Sequence, residues 1–305
     1  MSTLSRLELR QHILRLNRLD PVRADYAHLK RTYASIVDGI RLVVGKTLST
    51  ETLFRARVER TQPFTHVHEL ESPPAERVTG YQRCNGPGEP MFYASSKRMT
   101  ALHEVRSQIG DIVYLSQWMV KEPIPVNRIF EADQLSDLPG GLTDYEESVF
   151  SHFDTLFTRR IHDTFSDDYK FTSAITDAIT KNFTPHPSED IREDRTVGIR
   201  YPSVVDIGGG YNTALDPAFI GARVNILHVM KLRVDAVAGN EMSCHVLDNA
   251  HTFTDGRINW TSDPTAIPAI RPPNAVGFMF DGQKWNLQLH VGEPSAEDLR
   301  RLLSE

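Results

Sequence analysis

Arg83-Cys-Asn-Gly-Pro-Gly-Glu-Pro-Met-Phe-Tyr-Ala-Ser-Ser-Lys-Arg-Met-Thr-Ala-Leu-His-Glu104 passes from turn to strand to helix within 22 residues. Gly86-Pro-Gly88 reads as a turn. Met91 to Ala94 reads as a short strand, and Ser95 or Ser96 as the cap of a helix through Ala101, Leu102 and Val105 to about Ile109. Upstream, Leu53-Phe-Arg-Ala-Arg-Val58 alternates as a strand does, and Glu69 to Gly80 is a polar, proline-containing loop. Downstream, Ile112 to Val120 reads as another strand. This succession predicts a mixed α+β domain.

Working outward, residues 4–19 place Leu4, Leu7, Ile13, Leu14 and Leu16 near helical spacing, and Asp25 to Val44 repeats the pattern before Gly45. Together they predict an amino-terminal helical hairpin, so residues 1–50 read as an extension and 51–305 as the main domain. Tyr145, Val149, Phe153, Phe157 and Ile161, then Phe171, Ile175 and Ile179, predict two helices inserted at about 143–184. Val224 to Val234 reads as a strand. Ala275 to Phe280 and Trp285 to Val291 read as a hairpin around Asp281-Gly282. Ser295-Ala-Glu-Asp298 resembles a capping box opening a final helix.

The chain has 305 residues, enough for a large core. It carries 40 acidic against 34 basic residues, a net charge of −6. Such a balance argues against wrapping nucleic acid, which asks for a basic face. Two cysteines exclude a disulfide framework and favour a reducing compartment. The amino terminus has no apolar secretory core and no window is apolar enough to span a bilayer. The expectation is a cytoplasmic protein without a membrane or nucleic-acid partner; its oligomeric state is open.

Four residues stand out chemically. Arg83 lies in a Gly/Pro turn, where a planar guanidinium suits bidentate bonds to phosphate oxygens; a plain loop arginine is the bland reading. Tyr93 is either a core tyrosine or a flat platform for a heteroaromatic ring. Glu104 follows Ala101 and Leu102 on the inward side of its helix. There it either steadies ribose hydroxyls and a cationic centre, or pairs at the surface with Arg98 or Lys97. Ser203 follows Pro202 with no nucleophile-elbow sequence, so a ligand-binding hydroxyl fits better than an activated nucleophile. Gly208-Gly-Gly-Tyr-Asn212 would let backbone approach a ligand, although it is no dinucleotide fingerprint. His66-Val-His68 and Cys244-His245 match no zinc spacing, so no metal is expected. Cys84 adjoins Arg83, whose charge would lower its pKa, but without a matched His motif a catalytic cysteine is not expected. Anion clamp, aromatic platform, carboxylate and hydroxyl together suit a phosphorylated glycoside.

These segments, in this order, resemble the RES-domain family, named for its Arg, Glu and Ser. Leu53 to Arg57 resembles the opening strand, Arg83-Cys-Asn the arginine turn and Tyr93-Ala the next strand. Ala101 to Glu104 resembles the glutamate helix, and Tyr201-Pro-Ser203 with Asn212 to Leu215 the serine segment. The likeness covers roughly residues 52–230. It departs at Cys84, where an aromatic is usual, in the helices at 143–184 and in extension at both ends. The resemblance implies a split β-sandwich with helices, akin to ADP-ribosyltransferases, gripping NAD in a central cleft. It implies cleavage of the nicotinamide–ribose bond by water or inorganic phosphate, in a toxin with an antitoxin partner. A mono-ADP-ribosyltransferase and a catalytically silent interaction protein are the alternatives. By position, Arg83 would hold the diphosphate or an attacking phosphate and Tyr93 would contact the nicotinamide side. Glu104 would steady the ribose, Ser203 would complete the pocket, and Arg55 and Asn212 would add further contacts. NAD would be substrate, with no other cofactor.

Overall fold

The structure, a computed structural model, describes residues 4–40, 42, 44–47, 51–129, 141–181, 196–205, 209–239 and 241–263, with two further strands at 276–280 and 285–289. The glycine at 208 and the expected capping box at 295–298 lie outside the described residues, as do the turn at 281–284 and residues 182–184 of the expected insertion.

The amino-terminal hairpin consists of α1 (Arg6–Leu16) and α2 (Tyr26–Val37). Ser5 and Glu8 form a reciprocal capping box on α1, and the Asp25 side chain accepts from the Ala27 N–H on α2. The spacing predicted that α2 would run to Val44. It stops at Val37, because Asp38 is extended and Gly39 takes φ 80°. Val44–Lys46 forms strand β1 instead.

Next come β2 (Thr52–Val58), β3 (Phe92–Ser95), α3 (Arg98–Glu104), β4 (Ile112–Val120) and β5 (Pro125–Arg128). Ser95 ends the strand rather than capping the helix, whose N-cap is Lys97 with no side-chain cap bond. The helix also ends at Glu104, short of the expected Ile109, because Arg106 turns left-handed at φ 48°. The inserted helices are α4 (Asp144–Phe157) and α5 (Lys170–Lys181). Then follow β6 (Gly198–Pro202), β7 (Tyr211–Leu215), β8 (Val224–Ala238) and β9 (Glu241–Ala250). Two small hairpins pair β10 (Phe253–Thr254) with β11 (Arg257–Ile258), and β12 (Val276–Phe280) with β13 (Trp285–Leu289).

Strands β1 to β9 make one sheet in the order β1-β5-β6-β7-β3-β2-β4-β8-β9, antiparallel except where β5 meets β6. Its pairing is uneven. β2 lies against β4 along its whole length, from Thr52↔Met119 to Val58↔Val113. β2 and β3 share a single register pair, Phe54↔Ser95. The sheet therefore divides at this seam into two halves that part on either side of one rung. The fold is α+β with a split sheet.

Three apolar clusters hold it. Leu29, Tyr33, Phe153 and Ile175 of the helices pack with Ile199, Tyr201 and Ala214 of β6 and β7. Leu53, Phe92, Trp118 and Val229 fill the opposite side of the sheet. Phe54, Ala56, Ala101, Leu102 and Leu115 join α3 to β2 and β4. Polar ties fasten the hairpin to the insertion. Tyr26 and Ser173 hydroxyls meet at 2.7 Å, the Tyr145 hydroxyl donates to the Ile36 carbonyl, and Lys30 pairs with Asp177 at 3.2 Å. No helix among the described residues is long and apolar enough to cross a membrane.

Candidate functional site

The seam between β2 and β3 opens into a cleft of about 870 Å³. Both strands contribute walls, with α3, the turn at 81–83, the end of β6 and the connection between α4 and α5. Its chemistry is strongly biased. Arg55, Arg57, Arg60, Arg83, Arg106 and Arg160 line it, and Glu104 is the one carboxylate among the lining residues. A concave surface with this charge attracts a multiply charged anion, and the volume matches a small-molecule ligand.

Glu104 is the last residue of α3. Ala101 and Leu102 bury the helix against Phe54, so Glu104, one turn on from Ala101, is carried to the cleft. Its Oε1 accepts the Ser203 hydroxyl at 2.9 Å and the Asn212 amide at 2.6 Å. Neither Arg98 nor Lys97 supplies these bonds. Arg98 is buried, donating to Gln117 and lying over the Phe54 ring. Ser203 is set by the end of β6, where its N–H bonds the Gly210 carbonyl, and its hydroxyl also accepts from the Val205 N–H. Asn212 sits on β7 between Ser95 of β3 and Tyr201 of β6. The buried Ser95 hydroxyl donates to Asn212 Oδ1 at 2.6 Å, which turns the amide nitrogen toward Glu104. A strand pair and a post-proline turn thus aim donors at one oxygen of a carboxylate carried on a helix end.

The arginine turn is stapled to the neighbouring strand. The Tyr93 hydroxyl donates to Asn85 Oδ1 and accepts the Cys84 N–H at 2.9 Å. Tyr93 lines the cleft, so the structure gives it both a wall and a scaffold position. Burial pushes the phenols of Tyr93 and Tyr201 well above the usual range, so both stay neutral. Arg83 lies between the rings of Tyr169 and Tyr201, its guanidinium carbon 5.2 and 5.8 Å from the centroids. Its terminal nitrogens donate to the carbonyls of Phe157 and Arg159. Arg83 therefore clamps the end of α4 and the segment that follows it. Arg55 works similarly across the seam: its three nitrogens donate to the carbonyls of Leu70, Tyr93 and Glu71. Burial and the adjacent Arg57 press its pKa down to about 9, which leaves it charged at neutral pH.

Cys84 corrects the sequence reading. It packs in the core with the helices, and burial outweighs its bond to Thr176 and the charge of Arg83, pushing the thiol up to about 12. The thiolate is disfavoured, and the side chain is a packing element.

The structure brings together Arg55, Arg83, Tyr93, Glu104, Ser203 and Asn212 around one cleft. Sequence reasoning missed Ser95, Arg106, Arg160, Tyr169 and the site role of Tyr201. Arg57 had a visible signal, since it shares a strand face with Arg55 at a spacing of two. Arg160 and Tyr169 had none, because only the folding back of the insertion carries them to the seam.

The site is an arginine-lined cleft built around one oriented carboxylate, at the seam of an α+β sheet. The family profile of the RES domain matches residues 52–235, and the chain belongs to that family. The family is associated with NAD-related, toxin-like function. A comparison with curated proteins finds no match.

Proposed function

We propose that this protein consumes NAD by breaking the bond between nicotinamide and ribose, with water or inorganic phosphate as acceptor. The observation that carries the reading is Glu104, held on one oxygen by Ser203 and Asn212 inside a cleft that otherwise presents arginine. The glycosidic C–N bond breaks with its electron pair passing to the ring nitrogen, so nicotinamide leaves neutral and needs little acid. The ribose becomes oxocarbenium-like, and Glu104 stabilises that charge and the ribose hydroxyls. Water then adds and loses a proton, or a phosphate oxygen adds directly. Arg83 contributes to the grip on the diphosphate by exchanging a carbonyl for a phosphate oxygen. Tyr93 meets the nicotinamide side, and Arg55 supplies positive potential beneath it. Positioning and preorganised charge carry the rate. The family's toxin-like association supports a toxin role with a neutralising protein partner.

Incubation of the purified protein with NAD, with and without phosphate, tests this through nicotinamide release. Release with ADP-ribose as co-product indicates water as acceptor, and a phosphorylated sugar indicates phosphate. Label transferred from NAD to a protein band would redirect the reading to ADP-ribosyl transfer. No release under any condition, with the fold intact, would remove it.

A further inference from the structure

Arg106 follows the C-cap residue of α3, and its N–H closes the helix on the His103 carbonyl at 3.1 Å. At this position the chain turns left-handed, with φ 48°. Glycine is the usual residue there because a side chain crowds the backbone. Two other non-glycine residues among those described share this conformation, Asp255 and Ser262. Both are short and polar, and Asp255 precedes Gly256 in the turn between β10 and β11, a setting that tolerates aspartate. A long cationic side chain at such a site lacks that local excuse. Backbone held in an unfavourable region tends to persist where the side chain is needed.

The need is visible in where the side chain goes. Arg106 reaches the cleft wall and donates Nη2 to the Ile161 carbonyl at 2.8 Å. That bond fixes a guanidinium on the cleft wall just past the end of α3, the helix whose last residue is Glu104. Arg55 and Arg57 instead direct their guanidinium groups to backbone carbonyls beside β2, Arg55 to those of Leu70, Glu71 and Tyr93 and Arg57 to those of Glu69 and Glu71. Resting on the proposed NAD reading, we infer that Arg106 is a ligand-binding residue that holds the phosphate esterified to the nicotinamide ribose. Its guanidinium registers the dinucleotide so that the ribose lies against Glu104.

The strained backbone makes a selective test possible. Arg106→Gly removes the guanidinium and installs the residue that the conformation prefers, so the variant is expected to melt at the wild-type temperature or above. Binding of ADP-ribose, which keeps the diphosphate, is measured by calorimetry for both chains. Loss of one charge-assisted hydrogen bond predicts at least about tenfold weaker binding by the variant. Equal affinity would overturn the inference while leaving the NAD reading intact. A lowered melting temperature accompanying the weaker binding would also overturn it, marking Arg106 as a structural anchor for Ile161. A wild-type protein that binds neither ADP-ribose nor NAD would remove the reading and this inference together.

Discussion

Glu104 concentrates the chemistry of the site in one side chain with two donors on the same oxygen. Asn212 and Ser203 donate to the same oxygen, and Ser95 fixes the amide of Asn212. Glutamine at 104 would keep an oxygen for both donors and remove the charge. Glu104→Gln is therefore expected to fold with an unchanged melting temperature and to lose at least about tenfold in nicotinamide release, a floor for lost electrostatic support. Near-wild-type turnover would take the cationic-centre role away from this residue. Arg83 shows how a residue conspicuous in the sequence can take an unexpected geometry. Its turn was legible in Gly86-Pro-Gly88, yet its stacking between Tyr169 and Tyr201 depends on residues more than 80 positions away.

At the level of elements, the insertion is part of the cleft. Helices α4 and α5 were readable from apolar spacing, but the last residue of α4 and the segment between the helices carry the decisive contacts. Arg83 bonds the carbonyls of Phe157 and Arg159, Arg106 that of Ile161, and Arg160 donates to Val204 beyond Ser203. The pairing of β6 with β7 is as demanding, since it sets Ser203 beside Asn212. At Gly198 a Cβ would lie 2.3 Å from the Ala214 carbonyl oxygen and 2.8 Å from a Leu215 methyl. Backbone at that distance cannot yield as a flexible side chain would. Gly198→Ala is expected to destabilise the fold by roughly 3 kcal/mol, in the range of severe overpacking. Denaturant unfolding measures it, and a change below about 1 kcal/mol would show that β6 can shift.

Across the whole molecule, burial sets the pH response. His152 packs by Tyr33 and His228 bonds Asn249 at 3.1 Å. Burial lowers the pKa of each to about 4, with the charge of Arg98 adding to the effect on His228. Unfolded, both return to about 6.5. Between those values the unfolded chain binds more protons, so stability is full above about pH 6.5 and falls as pH drops toward 4. Each imidazole contributes on the order of 3 kcal/mol at the limit. Melting temperature is expected to decline between pH 6.5 and 5, before most carboxylates titrate, and His152→Gln to flatten part of the slope. A flat profile in wild type would mean that these rings are hydrated. The same scale holds the seam, where two half-sheets share only Phe54↔Ser95 and the cleft opens between them.

The local order of turn, strand and glutamate helix was determined by the sequence, because glycine and proline set the turn and apolar spacing sets the strand and helix. So were both inserted helices. Strands β5 and β9 were not legible. β5 opens on Pro125 after a second proline, and β9 mixes polar and apolar residues without clean alternation. The seam itself was decided only by tertiary structure, since register pairing across forty residues of chain leaves no periodic trace. The carbonyl partners of Arg55 and Arg83, the burial of Cys84 and the arrival of Arg106 and Arg160 follow from it. Backbone carbonyls and long-range burial compete for charged side chains only once the chain has closed on itself, and sequence spacing records neither.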